Sequence, residues 1–187
     1  MTFTALLAAM FTAALPLFLL AFALVSLALR RGWLQGQTVQ ELQGSLEALG
    51  KAQKDKKHPQ RVDDPALGQW FRFGGGFYGL VALYTWLLIE WDEVLDFLGG
   101  LSHVVLTFDP GALIGLVIEL FIESIMNFVM AIGWPAYWLS ESRDAWLLLF
   151  FAYGGYWLGI KAARYAFQRG WVDAAVERIL SELRSRF

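Results

Sequence analysis

The sequence predicts an all-α, polytopic membrane helix bundle with four hydrophobic helices, a short re-entrant or fifth limb, and cytoplasmic amphipathic helices. Three observations predict it. Of the 187 residues, 57% are apolar and 17% are charged, against about 45–50% and about 25% in soluble globular chains. The apolar residues form uninterrupted runs rather than a 3.6- or 2-residue period. Tryptophans flank several runs, as they do at membrane interfaces.

The first hydrophobic element is a run from Thr2 to Leu29 that contains no charged residue. About 20 apolar residues are enough for a helix to cross the hydrocarbon core. No basic residue precedes the run, which is about twice as long as the apolar core of a signal peptide. We therefore expect residues 1–29 to be a retained transmembrane helix, bent at Pro16.

Residues 30–72 are predicted to form a cytoplasmic helix followed by a basic linker. Four apolar residues with spacings of three, four and three define one face of the helix: Val39, Leu42, Leu46 and Leu49. The charged, proline-punctuated stretch after Lys51 is typical of a linker. Because this linker has no interleaved aromatic residues, we expect no nucleic-acid partner.

Three further apolar runs predict membrane helices over residues 73–91, 111–133 and 145–163. Aromatic residues follow the middle run and predict an interfacial loop over 134–144. Lys161, near the end of the last run, can extend its ammonium towards water.

The distribution of cations constrains how these runs are threaded. Of the 15 lysines and arginines, eight lie between Arg30 and Arg72, six lie from Lys161 to Arg186, and one is Arg143. Cytoplasmic segments carry the excess of basic residues, so both stretches should lie on the cytoplasmic side. The chain must then cross the membrane an even number of times between the two stretches.

A helical hairpin within residues 92–133 satisfies this requirement. Val94–Phe108 is mostly apolar, and Asp109, Pro110 and Gly111 form a tight-turn sequence before the next run. The hairpin would enter from the acidic outer segment, and its first arm of about 22 Å either stops inside the bilayer or just crosses it. Both versions place the N-terminus outside and the C-terminus inside. The alternative is four plain spans whose topology opposes the charge bias.

Residues 164–187 predict an amphipathic tail helix. After Gly170, apolar residues recur on one face at Val172, Val176, Ile179 and Leu183. The helix either lies on the membrane surface or packs against another helix. Its polar face carries both signs of charge, which favours packing on a partner.

Polar residues inside the hairpin are the candidate ion or proton site. Glu119, Glu123 and Asn127 follow one another at intervals of four, and the hairpin would bring Asp96 level with Glu123 and His103 near the start of the same helix. An ionised side chain at that depth costs about 2.5–3.5 kcal/mol. These residues therefore either pass protons or hold a cation, or they bond helices together as buried polar contacts.

Glycine pairs spaced by four predict close helix packing. Gly32 and Gly36 have this spacing outside the spans. The pairs inside the predicted spans are Gly75 with Gly79, Gly111 with Gly115, and Gly155 with Gly159. The last pair continues to Ala163 as one seam, used either within the chain or between chains.

The sequence favours a non-catalytic role. It has no cysteine, which excludes disulfides and thiolate metal sites, and its two histidines give no bis-histidine haem arrangement. We expect no catalytic residue, metal or cofactor. The leading hypothesis is a subunit of a larger assembly in a bacterial cytoplasmic membrane, in contact with lipids and with other subunits or copies of itself. The alternatives are proton or cation conduction through Glu119 and Glu123, and a lipid-modifying enzyme using His103.

Overall fold

The computed structural model describes residues 3–34, 36, 38–54, 62, 64–106, 122–141 and 145–186, with residues 92–106 described by their backbone. All regular structure in these ranges is helical, so the all-α prediction is confirmed. The helices are α1 (Phe3–Ala9), a π-helical segment (Met10–Ala14), α2 (Leu15–Arg30), α3 (Val39–Lys54), α4 (Pro65–Arg72), α5 (Gly76–Leu106), α6 (Ile122–Ile132), α7 (Trp134–Glu141), α8 (Ala145–Gln168) and α9 (Trp171–Arg186).

Within the described residues, one helix, Phe3–Arg30, is long and apolar enough to cross a membrane. A second qualifies only if Pro65–Arg72 and Gly76–Trp91, whose axes differ by 108°, count as one broken span. Ile122–Ile132 is apolar but shorter. The polytopic arrangement therefore remains a prediction.

The chain divides into two compact units, Met1–Val81 with Asp144–Phe187, and Ala82–Arg143. In the first unit, α2 and α8 pack side by side and run in the same direction. Gly155 lies against Ala14, and Gly159, one turn later, lies against Phe18 and Ala21, also further along the chain. The cations at the end of α2 therefore lie at the same end of this unit as those at the end of α8.

A proline explains the π-helical segment in the first helix. Pro16 lies in the first turn of α2, and the Leu15 N–H donates to the carbonyl of Met10, five residues back. A proline ring crowds the carbonyl four residues before it, and a wider helical turn relieves that crowding. The expected distortion near Pro16 thus takes the form of one π-helical turn.

The predicted amphipathic helix is present as α3, with Leu42 and Leu46 fully buried. It packs on α4 instead of extending away from the other helices. The Gln53 side chain holds the linker, because its Oε1 accepts from the Val62 N–H at 2.9 Å and its Nε2 donates to the Val62 carbonyl at 3.3 Å. Val62 is buried there, so the end of the linker contributes to the core.

Asp64 and Pro65 start α4. Asp64 Oδ1 accepts from the Ala66 N–H at 3.0 Å and the Leu67 N–H at 3.2 Å, which is N-capping geometry. Pro65 occupies the first turn, where its missing N–H removes no helical bond. Asp64 and Pro65, which by composition indicate a linker, therefore also start a helix.

The three glycines between α4 and α5 make a sharp turn. Gly74, Gly75 and Gly76 have φ values of 108°, 66° and 58°, a region that only glycine adopts without strain. The N–H of Gly75 donates to the carbonyl of Trp70 at 3.3 Å. We therefore interpret the triplet as a sharp bend of 108° between α4 and the start of α5.

The helix boundaries differ from the expected element boundaries at two places. No turn separates the predicted span 73–91 from the first arm of the predicted hairpin, because α5 is one helix from Gly76 to Leu106, about 46 Å long. No glycine or proline interrupts residues 80–98, so nothing in that sequence stops the helix. The hairpin turn at residues 109–111 lies outside the described residues.

The second difference is the predicted loop 134–144, because residues 134–141 form helix α7. The N–H groups of Ala136 and Tyr137 both donate hydrogen bonds to the carbonyl of Gly133. Pro135 is in the first turn, where proline is compatible with a helix. The proline therefore sits at the start of a helix rather than in a loop.

Gly170 separates α8 from α9. Its φ is 68°, and its N–H donates to the carbonyl of Phe167 at 3.0 Å, as in a glycine-terminated helix. The last helix is therefore a distinct element, as its sequence pattern predicts.

Candidate functional site

The seam predicted on α8 is occupied inside the chain. A Cβ atom built on Gly155 would collide with the carbonyl of Ala14, and one on Gly159 would lie 2.6 Å from the carbonyl of Phe18 and 2.7 Å from the Cβ of Ala21. Ala163 continues the seam and is fully buried. These glycines therefore let α2 and α8 approach at backbone distance, and the seam is not available to a second chain.

Another glycine contact joins α3 to the turn before α5. A Cβ atom on Gly50 would collide with the carbonyl of Gly74, and one on Gly75 would lie 2.5 Å from the carbonyl of Leu46. Gly79 is the partner of Gly75 in the sequence motif, and a Cβ atom built on it would lie 3.2 Å from the carbonyl oxygen of Trp70. Sequence reasoning missed Gly50, because it has no glycine partner at a spacing of four on its own helix. The residue that it contacts, Gly74, lies 24 residues later in a turn.

Replacing Gly50 by alanine is expected to destabilise the protein by about 1–3 kcal/mol, because the added methyl group meets a turn that cannot yield. Gly44, on the same helix, is the matched control. Its added methyl group would meet open space, so Gly44→Ala should stabilise by up to about 1 kcal/mol. Equilibrium unfolding followed by circular dichroism checks both values. Equal effects at the two positions would contradict the packing assignment.

An open apolar groove of about 440 Å³ lies beside the π-helical segment. Its lining comes from the first helix and from α8: Met10, Phe11, Ala14, Leu15, Phe18, Phe150, Phe151, Gly154, Gly155 and Leu158. No polar atom lines it. The groove can hold an apolar group, but none of its lining side chains can bind a polar group or take part in catalysis.

The predicted ion or proton site is only partly described. Glu123 is half-buried on α6, and Asn127, one turn later, is 2% exposed. The Asn127 Nδ2 atom is buried without a hydrogen-bond partner among the described residues. Glu119 lies outside the described residues, as do Gly111 and Gly115, and Asp96 and His103 belong to the part of α5 described by its backbone. The proximity of the five predicted residues therefore stays a prediction.

The described side chains offer no set of three acidic or histidine residues that could hold a metal ion. Ser26 Oγ on α2 and Glu90 Oε1 on α5 are also buried with no hydrogen-bond partner among the described residues. A buried polar atom without a partner costs about 1–3 kcal/mol. Of these three residues, Asn127 belongs to the predicted ion or proton site.

The second unit contains a buried hydrogen bond that sequence reasoning missed. Trp138 Nε1 donates to Thr85 Oγ1 at 3.1 Å, and both side chains are buried. Trp138 also meets the rings of Tyr84 and Trp134 edge-on. The residue predicted to lie in an interfacial belt is therefore part of a core.

Thr85→Val should destabilise the second unit by about 1–3 kcal/mol, because valine has nearly the same shape but leaves the Trp138 N–H buried without an acceptor. Thr85→Ser is the control, because serine keeps the hydroxyl group. It should keep most of the stability that Thr85→Val loses. Thermal unfolding monitored by tryptophan fluorescence measures the difference. If serine and valine were equally destabilising, the hydrogen bond would not be the cause.

Two adjacent arginines at the end of α2 hold the neighbouring elements. Arg30 Nε lies 3.1 Å from Asp173 at the start of α9, and Arg31 Nη2 lies 3.4 Å from Asp64 at the start of α4. The Arg30 pair is largely exposed, so its effect on stability is small. The two pairs show that α4 and α9 both begin beside the end of the first helix.

Comparison with family models, with curated proteins and with solved structures found no match to this chain.

Proposed function

We propose that the chain is an integral membrane subunit that packs into, and stabilises or regulates, a larger membrane protein complex in a bacterial cytoplasmic membrane, with its N-terminus outside and its C-terminus inside. The observation that carries the proposal is an exposed apolar stripe on α6. Ile122, Ile125, Met126 and Val129 are each at least half exposed. Their spacing of three, one and three is that of a helix face that packs on another helix. Such a continuous apolar surface calls for lipid or protein contact.

Two features of the first unit support the membrane location. The apolar helix Phe3–Arg30 ends at Arg30 and is followed by Arg31, and α8 runs parallel to it towards Lys161 and Arg164. Helices that run in the same direction satisfy the charge distribution, because both basic stretches then face one side. Exposed aromatic residues on α8, among them Trp146 and Phe150, suit contact with lipid.

Extraction from the native membrane in mild detergent tests the assembly. We expect the tagged chain, of 21.1 kDa, to migrate in a larger particle with other membrane polypeptides. Val129→Trp should release these polypeptides, since a bulky apolar ring prevents close helix packing but tolerates lipid. Leu19→Trp, on an exposed part of α2, is the matched control and should retain them. A monomeric particle before any substitution would refute the proposal.

A second candidate, proton or cation conduction, is favoured by one observation. Asn127 is buried, its amide nitrogen has no hydrogen-bond partner among the described residues, and it lies one helical turn from the half-buried Glu123. Neighbouring acidic and amide groups in a low-dielectric helix can relay protons or hold a cation.

Flux into vesicles that contain the purified chain tests conduction. Glu119→Gln and Glu123→Gln should each abolish flux, because glutamine keeps the shape but cannot ionise. Glu177→Gln, on an exposed part of α9, is the control and should leave flux unchanged. Unaltered flux in both hairpin variants would end this hypothesis.

A further inference from the structure

The start of α9 lies at the level where the apolar helix ends. Asp173, in the first turn of α9, pairs with Arg30, the last residue of α2. Gly170 redirects the chain between α8 and α9 through its positive φ. The tail helix therefore begins at the end of Phe3–Arg30, which is the one helix in the described chain that meets the criterion for a membrane span.

Aromatic rings and cations surround this junction. The Arg169 guanidinium lies 4.8 Å from the ring of Tyr165 and 6.0 Å from that of Trp171, and the two rings meet edge-on at 5.7 Å. One turn earlier on the same side, Lys161 Nζ lies 4.8 Å from the ring of Trp157. Trp171 is 57% exposed. Exposed amphipathic rings next to cations are typical of the headgroup region.

The apolar face of α9 is only partly covered within the described structure. Val172, Val176 and Leu183 lie on one face. The first two are half-buried, and Leu183 is 50% exposed. The helix contacts α8 and α2 near its start, so the face towards its end needs another occupant.

The cations at the junction select the occupant. Residues 161–170, at the end of α8, carry three basic residues and no acidic one, whereas α9 itself carries three arginines and three acidic residues. One of the three acids, Asp173, is already paired with Arg30. The excess of positive charge next to the start of α9 complements an anionic surface, to which basic residues close to a bilayer are attracted.

We infer that α9 lies in the headgroup region of an anionic bilayer, with Val172, Val176 and Leu183 towards the lipid and with the junction cations, Lys161 and Arg169, towards the phosphates. This inference rests on the proposed membrane location. It replaces the expectation that the tail packs on a partner, because its start is tied to the end of the apolar helix and to an aromatic and cationic junction.

Spin labels on the cysteine-free chain test the inference. Single cysteines replace Val176 on the apolar face, Glu177 on the polar face and Leu19 on α2, and the labelled proteins are placed in vesicles of phosphatidylcholine with or without phosphatidylglycerol. Collision rates with oxygen report lipid exposure, and those with a water-soluble nickel chelate report water exposure. In anionic vesicles the oxygen-to-nickel ratio should be severalfold higher at Val176 than at Glu177. It should fall at Val176 when phosphatidylglycerol is omitted.

Three outcomes would overturn the inference while leaving the membrane location intact, provided that the Leu19 label is exposed to oxygen and shielded from nickel. The Val176 label could be as open to nickel as the Glu177 label, which would place α9 in water. Both labels could be shielded from both reagents, which would indicate contact with protein. The ratio at Val176 could be the same in both vesicle types, which would exclude selection by charge. A Leu19 label open to nickel would instead refute the proposed membrane location.

Discussion

Replacing Gly155 by alanine is expected to destabilise the protein by about 3 kcal/mol, and the same substitution at its neighbour Gly154 is expected to stabilise it. At Gly155 the added methyl group collides with the backbone of Ala14. Overpacking costs about 1–3 kcal/mol when side chains can move. A backbone carbonyl in a helix cannot move without separating the two helices, so the upper part of the range applies.

Gly154 provides the control because it precedes Gly155 on the same helix. A Cβ atom built there meets nothing within 4 Å, and alanine in a helix is about 1 kcal/mol more favourable than glycine. Unfolding in mixed micelles, followed by circular dichroism, should therefore give changes of opposite sign at two adjacent positions. Stabilisation by both substitutions would show that α2 and α8 do not pack at backbone distance.

The sequence pattern identifies Gly155 but not its partner. Spacing by four and the continuation to Ala163 define a groove on one helix, and this information is local. The partner, Ala14, lies 141 residues earlier and has no distinctive spacing. Only the tertiary fold shows whether the partner of this groove is inside the chain or in another chain. In this fold, α2 runs parallel to α8 and fills the groove.

Helix boundaries follow sequence where a capping residue marks them. Gly170 separates α8 from α9, and Asp64 caps α4, because backbone geometry and orphan N–H groups are local properties. The predicted end of the second span at Trp91 rests on charge and aromatic position rather than on a helix-breaking residue, so it does not mark the end of a helix. Asp92 and Glu93 are compatible with a helix, and α5 continues through them.

The candidate ion site was the least predictable part. Intervals of four correctly place Glu123 and Asn127 on one helix, α6. Their proximity to Asp96 and His103 depends on a hairpin turn outside the described residues. Periodicity determines which residues share a helix face, but it does not determine which face meets another helix.

Truncating Trp70 is expected to have the other large effect, a loss of about 3–5 kcal/mol for Trp70→Ala. The side chain is fully buried and stacks on Phe71, with 5.2 Å between the ring centroids. Its Nε1 donates to the carbonyl of Gly76 at 3.2 Å, and its own carbonyl accepts from the N–H of Gly75 at 3.3 Å. The indole thus supports the turn that starts α5.

Two variants separate the loss of volume from the loss of the hydrogen bond. Trp70→Phe keeps most of the ring but removes the donor to Gly76, and it should cost about 1–3 kcal/mol, less than alanine. Trp146→Ala is the matched control, since that tryptophan is 76% exposed and its loss should change the unfolding free energy by less than about 0.5 kcal/mol. Unfolding in the same micelles would measure all three. If Trp70→Ala destabilised the protein no more than Trp146→Ala, Trp70 would not be packed against the glycine turn. The position of Gly74 against Gly50 would then depend on other residues.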